Sequence, residues 1–85
     1  MVALNVEELE SILRNEVFVP LPPGNLKEEF RLTQDLGVDS LGFAELRAAL
    51  EARGGFRIED EDFTPDNFST VGSLLRYLKG RSDGL

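Results

Sequence analysis

The chain has 85 residues, 41% of them hydrophobic and 29% charged, with six Phe, one Tyr and no Trp, Cys or His. A chain this short buries about 60–65% of the surface that its unfolded form exposes, enough for one modest core in a single domain but not for a deep, walled cleft. Without Cys and His there is no disulfide, no thiolate zinc site and no Ser-His or Cys-His dyad, and 9 Lys+Arg scattered against 16 Asp+Glu, a net charge of −7, offer no basic stripe to nucleic acid.

Met1 leads almost directly into an amphipathic segment, and the apolar runs fall far short of the about 20 residues that span a bilayer. A soluble, cytoplasmic protein with no membrane segment is expected. Asn5 followed three residues later by Glu8 has the spacing of a capping box, in which two orphan amides at a helix start are satisfied. Val6, Leu9, Ile12, Leu13 and Val17 fall within about 140° of arc at 100° per residue, so a helix with one buried face is predicted from Asn5 to Val17.

Pro20, Pro22, Pro23 and Gly24 cannot sustain that helix, and only Leu26, Phe30, Leu32 and Leu36 punctuate the stretch up to Gly37. A long first loop is predicted, with a Pro-rich bend and a partly helical approach whose apolar residues dock on the core. An interdomain linker is disfavoured, because Asn5–Val17 could not stand alone as a domain.

Asp39 or Ser40 caps the next predicted helix, which runs to about Arg53 on strong helix formers and stops at Gly54-Gly55. Phe56 and Ile58 then mark a short extended step. The acidic stretch Glu59–Asn67, broken by Pro65, is predicted to hold one irregular helical turn at most. As a calcium loop it fails: counting from Asp60 puts Pro65 where glycine is needed and Val71 where the bidentate Glu belongs, so no metal site is predicted. Thr70 caps a last helix with Val71, Leu74, Leu75 and Leu78 on one face, ended by Gly80. The result is an all-α bundle of three main helices and a minor turn before the last, in a single domain 1–85 with an ordered core of about 5–80 and a polar tail 81–85.

Projected from Ser40, Phe43, Leu46 and Leu50 cluster as the core face of the second main helix. On the opposite side lie Leu41, Ala44, Ala48 and Ala52, edged by Glu45 and Glu51. A small-residue apolar face bordered by carboxylates suits a partner with a hydrophobic notch and a basic rim. Helix propensity alone accounts for the alanines, and Leu41 is the residue it explains least. Ser40, in the first turn near the positive end of the helix dipole, suits a phosphoester; an ordinary cap worth about 1 kcal/mol is the alternative. Asp39 beside it is a cap or a group used by an enzyme that modifies the serine.

The stretch Asp35-Leu36-Gly37-Val38-Asp39-Ser40-Leu41, followed by Glu45-Leu46 and later by Thr70-Val71-Gly72, resembles the attachment-site signature of acyl carrier proteins, the small acidic four-helix bundles of fatty-acid and polyketide synthesis. The resemblance extends over nearly the whole chain. It implies that a phosphopantetheinyl transferase places a 4′-phosphopantetheine arm from coenzyme A on Ser40, and that the arm's thiol carries acyl intermediates as thioesters. A protein with neither His nor Cys would then be a monomeric, non-catalytic carrier whose nucleophile is activated by its partner. The resemblance further implies that acyltransferase, ketosynthase-type or acyl-activating enzymes read the face made by Asp35, Asp39, Leu41, Ala44, Glu45, Ala48 and Glu51. It also implies that an acyl chain slips between helices near Phe43, Leu46, Leu50 and Leu75.

Gly42 stands where many relatives have an acidic residue, Arg47 and Ala52 dilute the negative face, and the Pro20–Gly24 bend is unlike a plain housekeeping loop. These departures point to a specialised polyketide-type pathway. A peptidyl or aryl carrier of nonribosomal synthesis would share the bundle, but often has His before its serine, so Asp39 favours the acyl branch. A helical adaptor in which Ser40 is only a cap is the reading from a different class.

Overall fold

In the computed structural model, Asn5 opens α1 (Val6–Asn15): its backbone is extended and its side chain accepts a hydrogen bond from the Glu8 N–H at 2.9 Å. The structure describes residues 5–20, 24 and 26–83, the side chains of 82 and 83 excepted, so the bend expected at Pro22 and Pro23 and the last residues of the tail lie outside it. The Glu8 carboxylate does not turn back to close the capping box. It reaches Arg53 Nη1 at 2.9 Å, tying α1 to α2. Leu9, Ile12 and Leu13 are fully buried, whereas Val6 lies at the edge of the face. The helix ends before Val17, and the chain leaves it through backbone bonds from Val17 N–H to Ile12 O (3.1 Å) and from Val19 N–H to Leu13 O (2.8 Å).

The loop that follows is docked on the core, as its apolar residues predict. Leu32 and Val38 are buried, Leu26, Phe30 and Leu36 are half-buried, and a turn is closed by Val38 N–H on Leu32 O at 2.9 Å. An isolated antiparallel bridge pairs Arg31 with Thr70, through Leu32 N–H to Ser69 O and Val71 N–H to Phe30 O, each at 2.9 Å. This pairing escaped the periodicity because a single bridge has no alternating pattern to read.

Asp39, not Ser40, caps α2 (Ser40–Gly54), accepting from Gly42 N–H at 2.8 Å. The helix stops at Gly55, whose φ of 71° is the left-handed conformation that glycine adopts without steric cost. Leu46 and Leu50 are fully buried and Phe43 is half-buried. Gly42 is buried too, because a side chain there would stand 3.1 Å from Val38 Cγ1 and 3.3 Å from Val17 Cγ1; the glycine lets the first loop close on α2.

α3 (Pro65–Phe68) is the short turn expected, with Pro65 in its first turn and Phe68 buried. In α4 (Val71–Asp83), Thr70 Oγ1 accepts from Ser73 N–H at 3.0 Å, while Ser73 Oγ accepts from Thr70 N–H at 3.1 Å. Val71, Leu74 and Leu78 are fully buried. The expected stop at Gly80 is corrected: the helix continues to Asp83. Glycine within a helix costs about 1 kcal/mol, and a tertiary tie offsets it: Arg81 Nη2 donates to Arg57 O at 2.6 Å, and its guanidinium lies 5.3 Å from the Phe56 ring centroid. The four helices form an all-α bundle, and among the described residues none is long and apolar enough to cross a membrane.

The acidic segment before α3 is anchored from two sides. Arg47 donates to Ile58 O and to Asp60 Oδ1 (2.8 Å) and lies over the Phe63 ring, while the Tyr77 hydroxyl donates to Asp62 Oδ2 at 3.1 Å. Burial first, and then the Asp62 carboxylate, push the Tyr77 phenol up to about 12 from an ordinary value near 10. The folded state therefore holds its proton more tightly than the unfolded chain. This contribution is fully present below pH 10 and is lost as pH rises through 12. A spectrophotometric titration at 295 nm is expected to show tyrosinate forming near 12 in the folded protein and near 10 in urea; coincident curves would contradict the Asp62 contact.

Candidate functional site

Because Asp39 is the cap, Ser40 is the first residue of α2, and its hydroxyl makes no hydrogen bond among the described residues. It is exposed, and neither its N–H nor that of Leu41 meets an acceptor among the described residues. These two amides sit at the positive end of the helix, where an oxygen-rich anion is favoured. A phosphodiester on Ser40 fits that local chemistry.

Ser40 lines a half-open groove of about 630 Å³ between the start of α2, the turn that holds Thr33, and α3. Phe43, Phe63 and Phe68 give it an apolar aromatic side, with Phe43 and Phe63 edge-to-face at 6.4 Å and Phe63 and Phe68 at 5.0 Å. Thr33 and Thr70 add hydroxyls. Of the four residues expected beside an acyl chain, Phe43 alone lines this groove. Leu46 and Leu50 are closed into the core, and Leu75 packs half-buried against it. Phe63 and Phe68 were not singled out for the site. Their signal is two aromatic rings set among acidic residues around a proline, and it points to the site only once Phe43 is known to face them.

The acidic residues expected to face a partner have separate duties. Asp35 Oδ2 accepts from the N–H (2.8 Å) and Nε (3.3 Å) of Arg31, and that backbone N–H leads in holding its carboxyl below the usual range. Asp39 caps α2. Glu51 Oε2 accepts from Ile58 N–H at 2.8 Å and anchors the segment after the helix. Only the Glu45 carboxylate, of these four, has no hydrogen bond or ion pair to another described residue, and it stands on α2 beside the exposed Leu41, Ala44 and Ala48. Arg47 does not dilute that face as expected, since its guanidinium is taken up by Asp60 Oδ1 and Ile58 O.

The profile of the family described as phosphopantetheine attachment site matches residues 19–78, well over half of the chain. An acyl carrier protein of Wolinella succinogenes is 40% identical over 57 residues, covering 67% of this chain and 72% of the relative. Another, from Acidothermus cellulolyticus, is 37% identical over 79 residues, covering 89% of this chain and 90% of the relative. In three dimensions the holo acyl carrier protein of Nitrosomonas europaea superposes with a TM-score of 0.80 over 98% of this chain and 99% of its own, at 23% identity, a likeness of fold. The helix order, the free serine that opens α2 and these matches lead to one conclusion: the chain belongs to the acyl carrier proteins, the non-catalytic carriers whose cofactor is 4′-phosphopantetheine.

Proposed function

We propose that Ser40 is the attachment point of the arm and that the protein carries acyl intermediates as thioesters on it. The observation that carries this reading is the combination of a free, exposed hydroxyl with two unpaired amides at the start of α2. In the transfer, Ser40 Oγ attacks the β-phosphorus of coenzyme A, a new phosphodiester forms, and the pyrophosphate bond breaks to release adenosine 3′,5′-bisphosphate. The proton of Ser40 passes to a base on the transferase, since this chain has no His to take it. When attached, the arm supplies the thiol; the free N–H groups of Ser40 and Leu41 at the start of α2 favour its phosphate.

The groove beside Ser40 is where the carried chain lies, against Phe43, Phe63 and Phe68 rather than within the leucine core. On acylation the ring signals of those three residues are expected to shift while Leu46 and Leu50 stay in place; movement of the leucines alone would reverse the placement. The partners are a phosphopantetheinyl transferase and enzymes that load, extend or remove acyl groups, working in the cytoplasm. A specialised polyketide-type pathway is supported by Gly42, which removes a carboxylate next to the site. Arg47 no longer supports it.

Incubation with coenzyme A, magnesium and a broad-specificity phosphopantetheinyl transferase, followed by intact mass measurement, tests the reading. A gain of one arm is expected. A folded protein that several such transferases leave unmodified would favour the adaptor reading instead.

A further inference from the structure

Phe18 is the one non-glycine residue with positive φ among the described residues, at 64°, and its side chain is 74% exposed. The chain around it explains the geometry. Val17 and Val19 turn inward, half-buried and buried, and their N–H groups are held by Ile12 and Leu13, so the residue between them is thrust outward in a left-handed conformation. Glycine or asparagine takes that conformation cheaply at a helix exit, whereas an aromatic residue is sterically disfavoured there. A ring left in solvent returns little burial energy to offset this.

Phe18 also has a counterpart. Leu41, 69% exposed, is, among the described residues, the other large hydrophobic residue standing well out into solvent, and both line a second groove of about 260 Å³. Asp39 and Glu45 line that groove as well, and no Lys or Arg does. Resting on the reading of Ser40 above, we infer that Phe18 and Leu41 form a two-point apolar clamp for the transferase that modifies Ser40. The partner surface that fits presents an apolar side chain to the groove, with Lys or Arg placed against Asp39 and Glu45. Ser40 lines the aromatic groove and not this one, but its two chain neighbours Asp39 and Leu41 line this one, so an enzyme that holds the start of α2 while reaching the Ser40 hydroxyl can rest on this patch. Phe18 extends the expected α2 face onto a different element.

The test is kcat/KM for arm transfer by a broad-specificity phosphopantetheinyl transferase on the full chain and on Phe18→Asn, with Phe18→Gly as a second variant suited to positive φ. Both are expected to keep the parent helicity, with a melting temperature at or above the parent's because the strained φ is relieved, while kcat/KM falls about tenfold, as for loss of an aromatic anchor. Added salt is expected to lower the parent rate through the carboxylates. Rates within about twofold of the parent would overturn the clamp, as would loss of folding in both variants, which would make the ring structural. A parent that takes no arm at all would instead overturn the reading of Ser40.

Discussion

Replacing Ser40 with alanine is expected to abolish the gain of one phosphopantetheine while leaving helicity and melting temperature at parent values. The two halves of that expectation come from one observation. Had Ser40 been the helix cap, its removal would cost about 1 kcal/mol, and a lost modification could be blamed on a frayed helix. The cap is Asp39, with its carboxylate on Gly42 N–H, so the serine hydroxyl holds nothing in the fold and alanine suits the first turn. Loss of the arm would therefore be chemical. The complementary variant Asp39→Ala is expected to cost about 1 kcal/mol and, through the lost carboxylate beside the groove, to slow arm transfer without abolishing it, since the nucleophile is still present. The competing nucleophile is Ser69, which is exposed and lines the same groove. An arm retained in Ser40→Ala, and mapped by peptide mass to Ser69, would move the attachment site across the groove.

Much of the bundle could be read from local signals, because those signals act locally in the fold as well. Asn5 and Thr70 are caps whose side chains bond amides three residues on, and Gly55 ends α2 by its own conformational freedom. The start of the site was legible for the same reason, in the Asp39-Ser40-Leu41 run at a helix boundary. What failed to show were effects set by distant residues. Gly80 would stop an isolated helix, but Arg81 finds Arg57 O and the face of Phe56, from a segment far away in the chain. Arg47 and Glu51 project near the α2 surface on a helical wheel, yet both are long enough to reach Ile58 and are used there. Periodicity gives the direction of a Cβ, not the destination of a four-atom side chain. Phe18 was invisible for another reason, since nothing in its neighbours' types announces a positive φ at a bulky residue.

Leu46→Ala is expected to be strongly damaging, with a loss of about 3–4 kcal/mol against a total of about 5–10 for a domain of this size. Leu46 is fully buried on α2, in a cluster with Leu9, Ile12 and Leu50, and it does not line the groove beside Ser40. Its removal therefore opens a void that nothing flexible from the surface can fill, and adds the cavity penalty to the lost transfer energy. Leu41→Ala, on the same helix but 69% exposed, is expected to change stability by at most about 0.5 kcal/mol. Urea unfolding followed by far-UV circular dichroism separates them: the midpoint falls steeply for Leu46→Ala at unchanged slope and barely moves for Leu41→Ala. A loss below about 1 kcal/mol for Leu46→Ala would mean that the leucine core yields easily. Such a core could part to admit an acyl chain between the helices, and the outer groove at Phe43, Phe63 and Phe68 would no longer be needed to hold it. A steep loss marks a core with no slack in its packing, which supports the proposed placement of the carried chain along the aromatic groove; the ring shifts of Phe43, Phe63 and Phe68 on acylation decide it.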